Sequence, residues 1–310
     1  MSSPPLAAAP ADAAASRIWS GLALAVAGSV AFSGKAIIVK LAYRYGVDAV
    51  TLIMYRMLFA LPMFVALAWW AGRGKPPLTR RDVAAVLGLG FTGYYLASFL
   101  DFAGLAYITA GLERLILYLN PTLVLAFGFA AFRRTITRRQ LVALAVSYAG
   151  VLLVFGHEVS FAGAHVALGA ALVFGSAVSY AVYLVLSGEE VQRLGAMRLT
   201  GLATTVACVL CIAQFLVLRP LSAMVVAPQV IGLSVLNAIV CTFAPVLMVM
   251  MAIERIGATT AAQTGMIGPL STIFMGVLIL GEPFTAWVAA GTVLVLAGIW
   301  LLARSREEER

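Results

Sequence analysis

Apolar stretches of about twenty residues, interrupted by short charged or Gly/Pro-bearing breaks, run almost the whole length of the chain. A helix of that length crosses the roughly 30 Å hydrocarbon core of a bilayer. Placing helices between the breaks predicts ten, over residues 18–41, 48–71, 82–106, 109–132, 138–156, 164–187, 197–218, 228–252, 256–280 and 285–303. The expected fold class is an all-α membrane protein whose ten transmembrane helices form two inverted five-helix repeats. Residues 18–156 would make the first repeat and 157–303 the second, with cytoplasmic tails over 1–17 and 304–310.

Composition supports this reading. Of 310 residues, 63% are hydrophobic and 11% charged, whereas soluble domains carry about 25% charged residues. The opening MSSPPLAAAPADAAASR lacks a basic start followed by an apolar core, so it reads as a short disordered terminus and not as a cleaved signal. Net charge is +8, yet no soluble basic domain is present to bind nucleic acid.

The distribution of basic residues orients the helices. The tails and the loops after helices two, four, six and eight hold Arg17, Arg73, Lys75, Arg80, Arg81, Arg133, Arg134, Arg138, Arg139, Arg193, Arg198, Arg255, Arg304, Arg306 and Arg310. The other side holds Lys40, Arg44 and Arg219, so the bias is fifteen to three. Cytoplasmic loops carry such an excess, which predicts that both termini are cytoplasmic. Trp19, Trp69, Trp70, Trp287 and Trp300 fall near predicted helix ends, where an indole suits the headgroup region.

A repeat emerges at an offset of 258 − 110 = 148 residues. Ala110 matches Ala258, Pro121 matches Pro269, Thr137 matches Thr285, and Ala149-Gly150 matches Ala297-Gly298. Five helices per half is an odd number, so the second half enters the membrane from the opposite side. Such inverted repeats let a carrier alternate between inward-open and outward-open states.

The stretches ITAGLERLILYLNPTLVLAFGFAAF and IGATTAAQTGMIGPLSTIFMGVLILGEPF, with N-P or G-P inside a helix and then G-E-P before a last helix bearing A-G, resemble the EamA family of the drug/metabolite transporter superfamily. Within that family the overall look of the chain is most similar to bacterial inner-membrane exporters of aromatic amino acids. The resemblance implies a monomeric secondary transporter that exports aromatic and other apolar amino acids by alternating access, with no cofactor. An exporter of drugs, nucleosides or other small metabolites is the alternative on the same fold, and an integral-membrane enzyme is the alternative from another class. The first half departs from the family pattern, because Arg134 stands where an acidic residue is common.

Ionisable groups inside a membrane helix cost roughly 2.5–3.5 kcal/mol at its centre and usually face a cavity or a partner. Lys35, Arg56, Asp101, Glu113 and Arg114 are such groups, all in the outer half on this topology. Lys35 is read either as a ligand or as snorkelling to the outer interface. Asp101 with Arg114 would make a salt bridge, and Glu113 and Arg114 read most simply as helix-end charges, with Glu113 suited to the N-terminal dipole. Polar and aromatic positions nearer the midplane are Tyr94, Tyr95, Ser98, Phe99, Tyr118, Asn120, Tyr180, Tyr183, Asn237, Thr242 and Gln263. The candidate substrate site takes Lys35, Arg56, Tyr94, Tyr95, Ser98, Phe99, Tyr118, Tyr180, Tyr183, Asn237 and Gln263. Lys35, Arg56, tyrosine hydroxyls or Asn237 would receive an amino-acid carboxylate, while each tyrosine serves equally as a packing and hydrogen-bonding residue between helices.

Pro121 and Pro269 fall inside helices four and nine, where each removes a backbone hydrogen bond and introduces a kink, for gating or for static shape. Stripes of small residues, Gly21, Ala25 and Ser29 and then Ala261, Gly265 and Pro269, permit close helix contact. No Walker loop is present, which argues against ATP-driven transport by this chain. Cys208 and Cys211 lie in an apolar run without other metal ligands, and His157 and His165 lie beside the loop after helix five. Gly281 and Pro283 end helix nine and Thr285 caps helix ten. Glu282 is expected at the cytoplasmic edge as a helix-junction or gate-stabilising group, where it would meet Arg134.

Overall fold

The computed structural model describes residues 11–132, 137–162, 165–265 and 267–307. Eight helices are long and apolar enough to cross a membrane: α1 (Ile18–Tyr43), α2 (Ala49–Gly72), α3 (Arg80–Leu105), α4 (Ala110–Phe127), α5 (Arg138–Ser160), α6 (His165–Gly188), α7 (Ala196–Leu218) and α8 (Pro228–Gly257). Two shorter apolar helices follow, α9 (Ile267–Leu280) and α10 (Ala286–Leu302). The five tryptophans are each at least half exposed, as side chains at a lipid interface would be.

Two boundaries move. The helix leading into α1 starts at Ala11, so residues 11–17 are helical and not a disordered tail; the alanine-rich ADAAAS has high helix propensity. Residues 1–10 lie outside the described residues. The helix of α5 continues to Ala162, running through Gly156, where the sequence predicts its end. That extension places Glu158 on α5.

The repeat is visible in the packing. The most extensive helix contacts pair α5 with α10, α2 with α7, α1 with α8, and α3 with α6. Moving each helix five places along the chain maps this set onto itself. Individual contacts obey the 148-residue offset too. A Cβ on Gly21 would lie 2.5 Å from Ile256 Cγ2, and one on Gly169 would lie 2.8 Å from Ile108 Cγ2; 21 + 148 = 169 and 108 + 148 = 256. On the α5–α10 seam, a Cβ on Gly150 would lie 2.6 Å from the Gly291 carbonyl, and one on Gly298 would lie 2.8 Å from that of Ala143. Backbones approach this closely only where the side chain is absent.

Helix caps follow the local sequence. Thr137 caps α5 through the Gln140 N–H at 3.3 Å, and its counterpart Thr285 caps α10 through the Val288 N–H at 3.3 Å. Gly281 closes α9 in the left-handed region with φ 72°, a conformation that is free of strain only for glycine. Asp48 caps α2 and accepts from Val50 and Thr51 N–H groups at 3.0 and 3.3 Å.

Glu282 requires a correction. Gly21, near the start of α1, packs on Arg255 and Ile256, so helix nine begins at that end of the bundle and finishes at the other, where α1 ends. There Glu282 accepts hydrogen bonds from Ala110 N–H at 2.9 Å and Gly111 N–H at 3.4 Å, and lies 3.9 Å from Lys40 Nζ. This is the end opposite Arg255, the residue taken to mark the cytoplasmic side. Arg134 lies outside the described residues, and α4 leads toward it away from Glu282.

Candidate functional site

Proline explains why two helices are interrupted. Pro121 has no N–H to give the Leu117 carbonyl, and helix four breaks there into Ala110–Leu117 and Asn120–Phe132. Asn120 Nδ2 instead donates to that carbonyl at 2.7 Å. In the second repeat, Pro269 leaves the Gly265 carbonyl without its helical donor, and a turn at Gly265 separates a short helical stretch from Ile267–Met275. Both positions are breaks and not the expected kinks, because each proline sits in the first turn of the following segment, where it is tolerated.

The two breaks are tied together. Tyr118 donates its hydroxyl at 2.9 Å to the Gly265 carbonyl, which also accepts from the Gly268 N–H at 3.0 Å. Ser33 of α1 donates to the Gly268 carbonyl at 2.8 Å. A Cβ on Gly268 would lie 2.7 Å from the Tyr118 hydroxyl, so glycine is what lets these three elements meet. Irregular backbone at membrane depth is tolerated where it lines a cavity or is buried in protein.

Beside this junction lies a charged cluster. Lys35 Nζ is 2.5 Å from Asp101 Oδ2 and 3.3 Å from Glu113 Oε1. Lys35 is 6% exposed, Asp101 2% and Glu113 0%, so the lysine is paired inside the bundle and does not snorkel. Glu113 stands in the first turn of its helix, as expected, and is in addition a buried partner of Lys35. Arg114 does not pair with Asp101; its Nε donates to Thr272 Oγ1 at 2.9 Å and its Nη2 to the Phe32 carbonyl at 3.4 Å. The cluster therefore joins α1, α3, α4 and α9.

Arg56 approaches from α2. Its Nε donates to Thr242 Oγ1 at 3.1 Å, that hydroxyl donates to the Asn237 carbonyl at 2.9 Å, and the guanidinium lies 5.1 Å from the centre of the Phe102 ring. The Asn237 carbonyl is available because α8 widens into a π turn at Ile239–Phe243. The matching π turn of α3 is Gly90–Leu96, whose Thr92 carbonyl accepts from Ser179 Oγ at 2.7 Å. Arg56 Nη1 and Asn237 Oδ1 are buried with no hydrogen-bond partner among the described residues.

The remaining candidates divide. Tyr94, Tyr180 and Tyr183 form a separate group: the hydroxyls of Tyr94 and Tyr183 are 3.1 Å apart, and Tyr180 stacks on Tyr183 at 5.4 Å. Gly93 makes room for it, since a Cβ there would lie 2.4 Å from the Tyr183 ring. Tyr94 also faces Thr204, which sits 148 positions after Arg56, just as Thr242 sits 148 after Tyr94. The tyrosine group is thus the pseudo-symmetric counterpart of the Arg56–Thr242 contact. Tyr95 leans on Phe91 at 5.4 Å and packs with Phe99 against the main apolar core, and Ser98 is half-buried. The side chain of Gln263 lies outside the described residues.

Ser33, Thr272, Phe32 and Phe102 belong to the site and were not singled out from the sequence. Their signal is weak, because small hydroxyls and phenylalanines are ordinary in apolar helices. Cys208 and Cys211 are buried thiols, with Cys208 Sγ 3.7 Å from Met57 Sδ. His157 stacks on Trp287 at 5.9 Å, and His165 on Tyr107 at 6.0 Å.

The end of the bundle above the cluster is closed by carboxylates at the start of α4. Glu158 of α5 takes the Thr109 hydroxyl and its N–H, and Glu282 takes the next two N–H groups. Lys40 stands between them and donates to the Ile108 carbonyl at 2.7 Å, while Arg44 donates to the Leu280 carbonyl at 2.8 Å. Anions at a helix N-terminus are stabilised by its free N–H groups and dipole.

Comparison with known proteins gives a consistent picture. The EamA-like transporter family matches twice, over residues 19–156 and 167–304. The uncharacterized transporter YcbK of Bacillus subtilis (strain 168) is 31% identical over 267 residues, covering 82% of this chain and 83% of that protein. The uncharacterized transporter YetK of the same organism is 27% identical over 120 residues, 38% of this chain and 36% of its own. A solved crystal structure shares the fold with a TM-score of 0.61 at 18% identity, over 94% of this chain and 99% of the other.

Proposed function

The chain belongs to the EamA-like transporter family, and from that premise we propose that this multi-pass membrane transporter exports small carboxylate-bearing solutes, aromatic and other apolar amino acids first. The observation that carries this reading is Arg56. Its guanidinium is buried, uses one nitrogen on Thr242, leaves Nη1 unpartnered and has no carboxylate within ion-pair distance among the described residues. A buried cation with no carboxylate in ion-pair contact is costly, and a substrate carboxylate reaching Nη1 would lower that cost. Phe102 supplies an apolar wall beside it, and Asn237 Oδ1 is a buried acceptor left for a hydrogen-bond donor.

On this reading the Lys40–Glu282 end faces the outside of a bacterial inner membrane, and the basic end faces the cytoplasm. Alternating access exchanges the roles of the two halves, with the breaks at Pro121 and Pro269 as the bending points. One protomer encloses the site, so a monomer suffices.

Purified protein in liposomes, offered labelled amino acids, nucleosides and cationic drugs, tests the assignment. Saturable amino-acid counterflow is expected. Flux of nucleosides or drugs without amino acids would replace it with the alternative substrate class.

A further inference from the structure

Among the described residues, Lys35 is the one cation within ion-pair distance of Asp101 and of Glu113, and it serves both. Glu113 is fully buried, and neither of its oxygens has a hydrogen-bond donor among the described residues; nor does Asp101 Oδ1. The Glu113 and Asp101 side chains are nevertheless within hydrogen-bonding reach of each other. Ionised carboxylates only accept hydrogen bonds, so that contact becomes a bond only when one of them carries a proton. Two like charges this close in a dry site do not both ionise.

The other groups around the triad leave those oxygens unserved. Arg114 is committed to Thr272 and the Phe32 carbonyl, Lys40 to the Ile108 carbonyl, and Tyr43 donates to the Phe102 carbonyl at 2.5 Å. Arg56 faces Asp101 from α2, and Cys241 faces Lys35 from α8. A hard metal cation would need about six oxygen ligands, and the Lys35 ammonium already occupies the point where these oxygens converge.

We propose that Asp101 and Glu113 share an exchangeable proton, and that this pair couples substrate export to proton movement in the opposite direction. The proton arrives from the aqueous phase at the Lys40 end and forms an O–H bond on one carboxylate, hydrogen-bonded to the other. After the halves exchange conformations it leaves as a free proton to the opposite phase. A proton and a substrate ammonium compete for the same carboxylate oxygens, so they exclude one another, and mutual exclusion at an alternating site gives antiport. That last step rests on the amino-acid reading, whereas the proton site does not.

Infrared difference spectra of the full-length protein between acid and alkaline pH test the site. Wild type should show the C=O stretch of a protonated carboxyl group, displaced in Asp101→Asn and in Glu113→Gln and lost when both are changed. No such band in wild type, or a band unchanged by the double substitution, overturns the proposal; the wild-type spectrum decides even if the double variant does not fold. In liposomes, an inward proton gradient should speed amino-acid efflux about tenfold in wild type and have no effect on whatever flux Glu113→Gln retains. Stimulation that survives in Glu113→Gln overturns the coupling. If no amino acid moves under any gradient, the substrate assignment fails while the infrared band still decides the proton site.

Discussion

Tyr118 donates its hydroxyl to the Gly265 carbonyl at 2.9 Å, joining the break in helix four to the break in helix nine. The two residues belong to opposite halves of the repeat, and each sits within a turn of a proline that created the break. The Gly265 carbonyl also accepts from the Gly268 N–H at 3.0 Å, so losing the hydroxyl removes one of two bonds, worth about 0.5–1.5 kcal/mol.

Tyr118→Phe should therefore lower the thermal midpoint, by the equivalent of about 0.5–1.5 kcal/mol, with the apolar ring still filling its place. Tryptophan fluorescence during a thermal ramp in detergent measures it. An unchanged midpoint would mean that water serves the Gly265 carbonyl equally well.

Glu282 holds the start of helix four through two backbone N–H groups and lies 3.9 Å from Lys40. Glu282→Ala should weaken closure at that end by about 0.5–2 kcal/mol, the worth of a helix cap, while Glu282→Gln retains part of it. A cysteine placed at Thr109 and labelled by a membrane-impermeant maleimide reads the opening. Labelling should be several-fold faster in Glu282→Ala than in Glu282→Gln, and equal rates would show that the carboxylate does not latch this end.

How legible this molecule is in its sequence depends on the range of the interaction. The ends at Thr137, Gly281 and Thr285 and the breaks at Pro121 and Pro269 follow from local backbone chemistry, and they are written in the chain. Lys35 finds Asp101 across 66 positions, through the packing of α1 on α3, which no local pattern encodes. Glu113 reads as a helix-end charge because its position in the first turn is local information, while its burial under α1 is not. Glu282 was expected on the wrong side because its turn was read without following helix nine across the membrane from Arg255. Tyr94 and Tyr183 were recognised as a polar aromatic group, yet their equivalence to the Arg56–Thr242 contact needs both the 148-residue offset and the fold.

Asp48, between α1 and α2, titrates outside the spanning segments. Burial acts to raise its pKa, but bonds from the Thr51 hydroxyl and N–H, the Arg219 charge and the Val50 N–H outweigh it and hold the carboxyl below its ordinary value of 3.8. With the folded value depressed, the stabilisation is fully present above about 3.8 and is lost as pH falls through the lower folded value. Thermal ramps across acid pH should show wild type losing this increment, and Asp48→Ala should be less stable by about 1 kcal/mol at neutral pH. The gap between the two should close as acid protonates Asp48, and a constant gap would refute the role of its charge.

Arg56 gives the sharpest test of substrate chemistry, because charge and geometry can be separated there. Arg56→Met removes the cation, and counterflow of an amino acid should then require at least about tenfold more substrate for half-saturation, the weight of one charge-assisted hydrogen bond of 1.5 kcal/mol or more. Arg56→Lys keeps the charge but loses the fork that reaches Thr242 with Nε while presenting Nη1 elsewhere, so an intermediate loss is expected. The decarboxylated amine of the same side chain supplies the control: it has nothing to offer Arg56, and its weak transport should change little in either variant. Equal losses for the acid and the amine would mean that Arg56 holds α2 against α8 and does not bind the carboxylate.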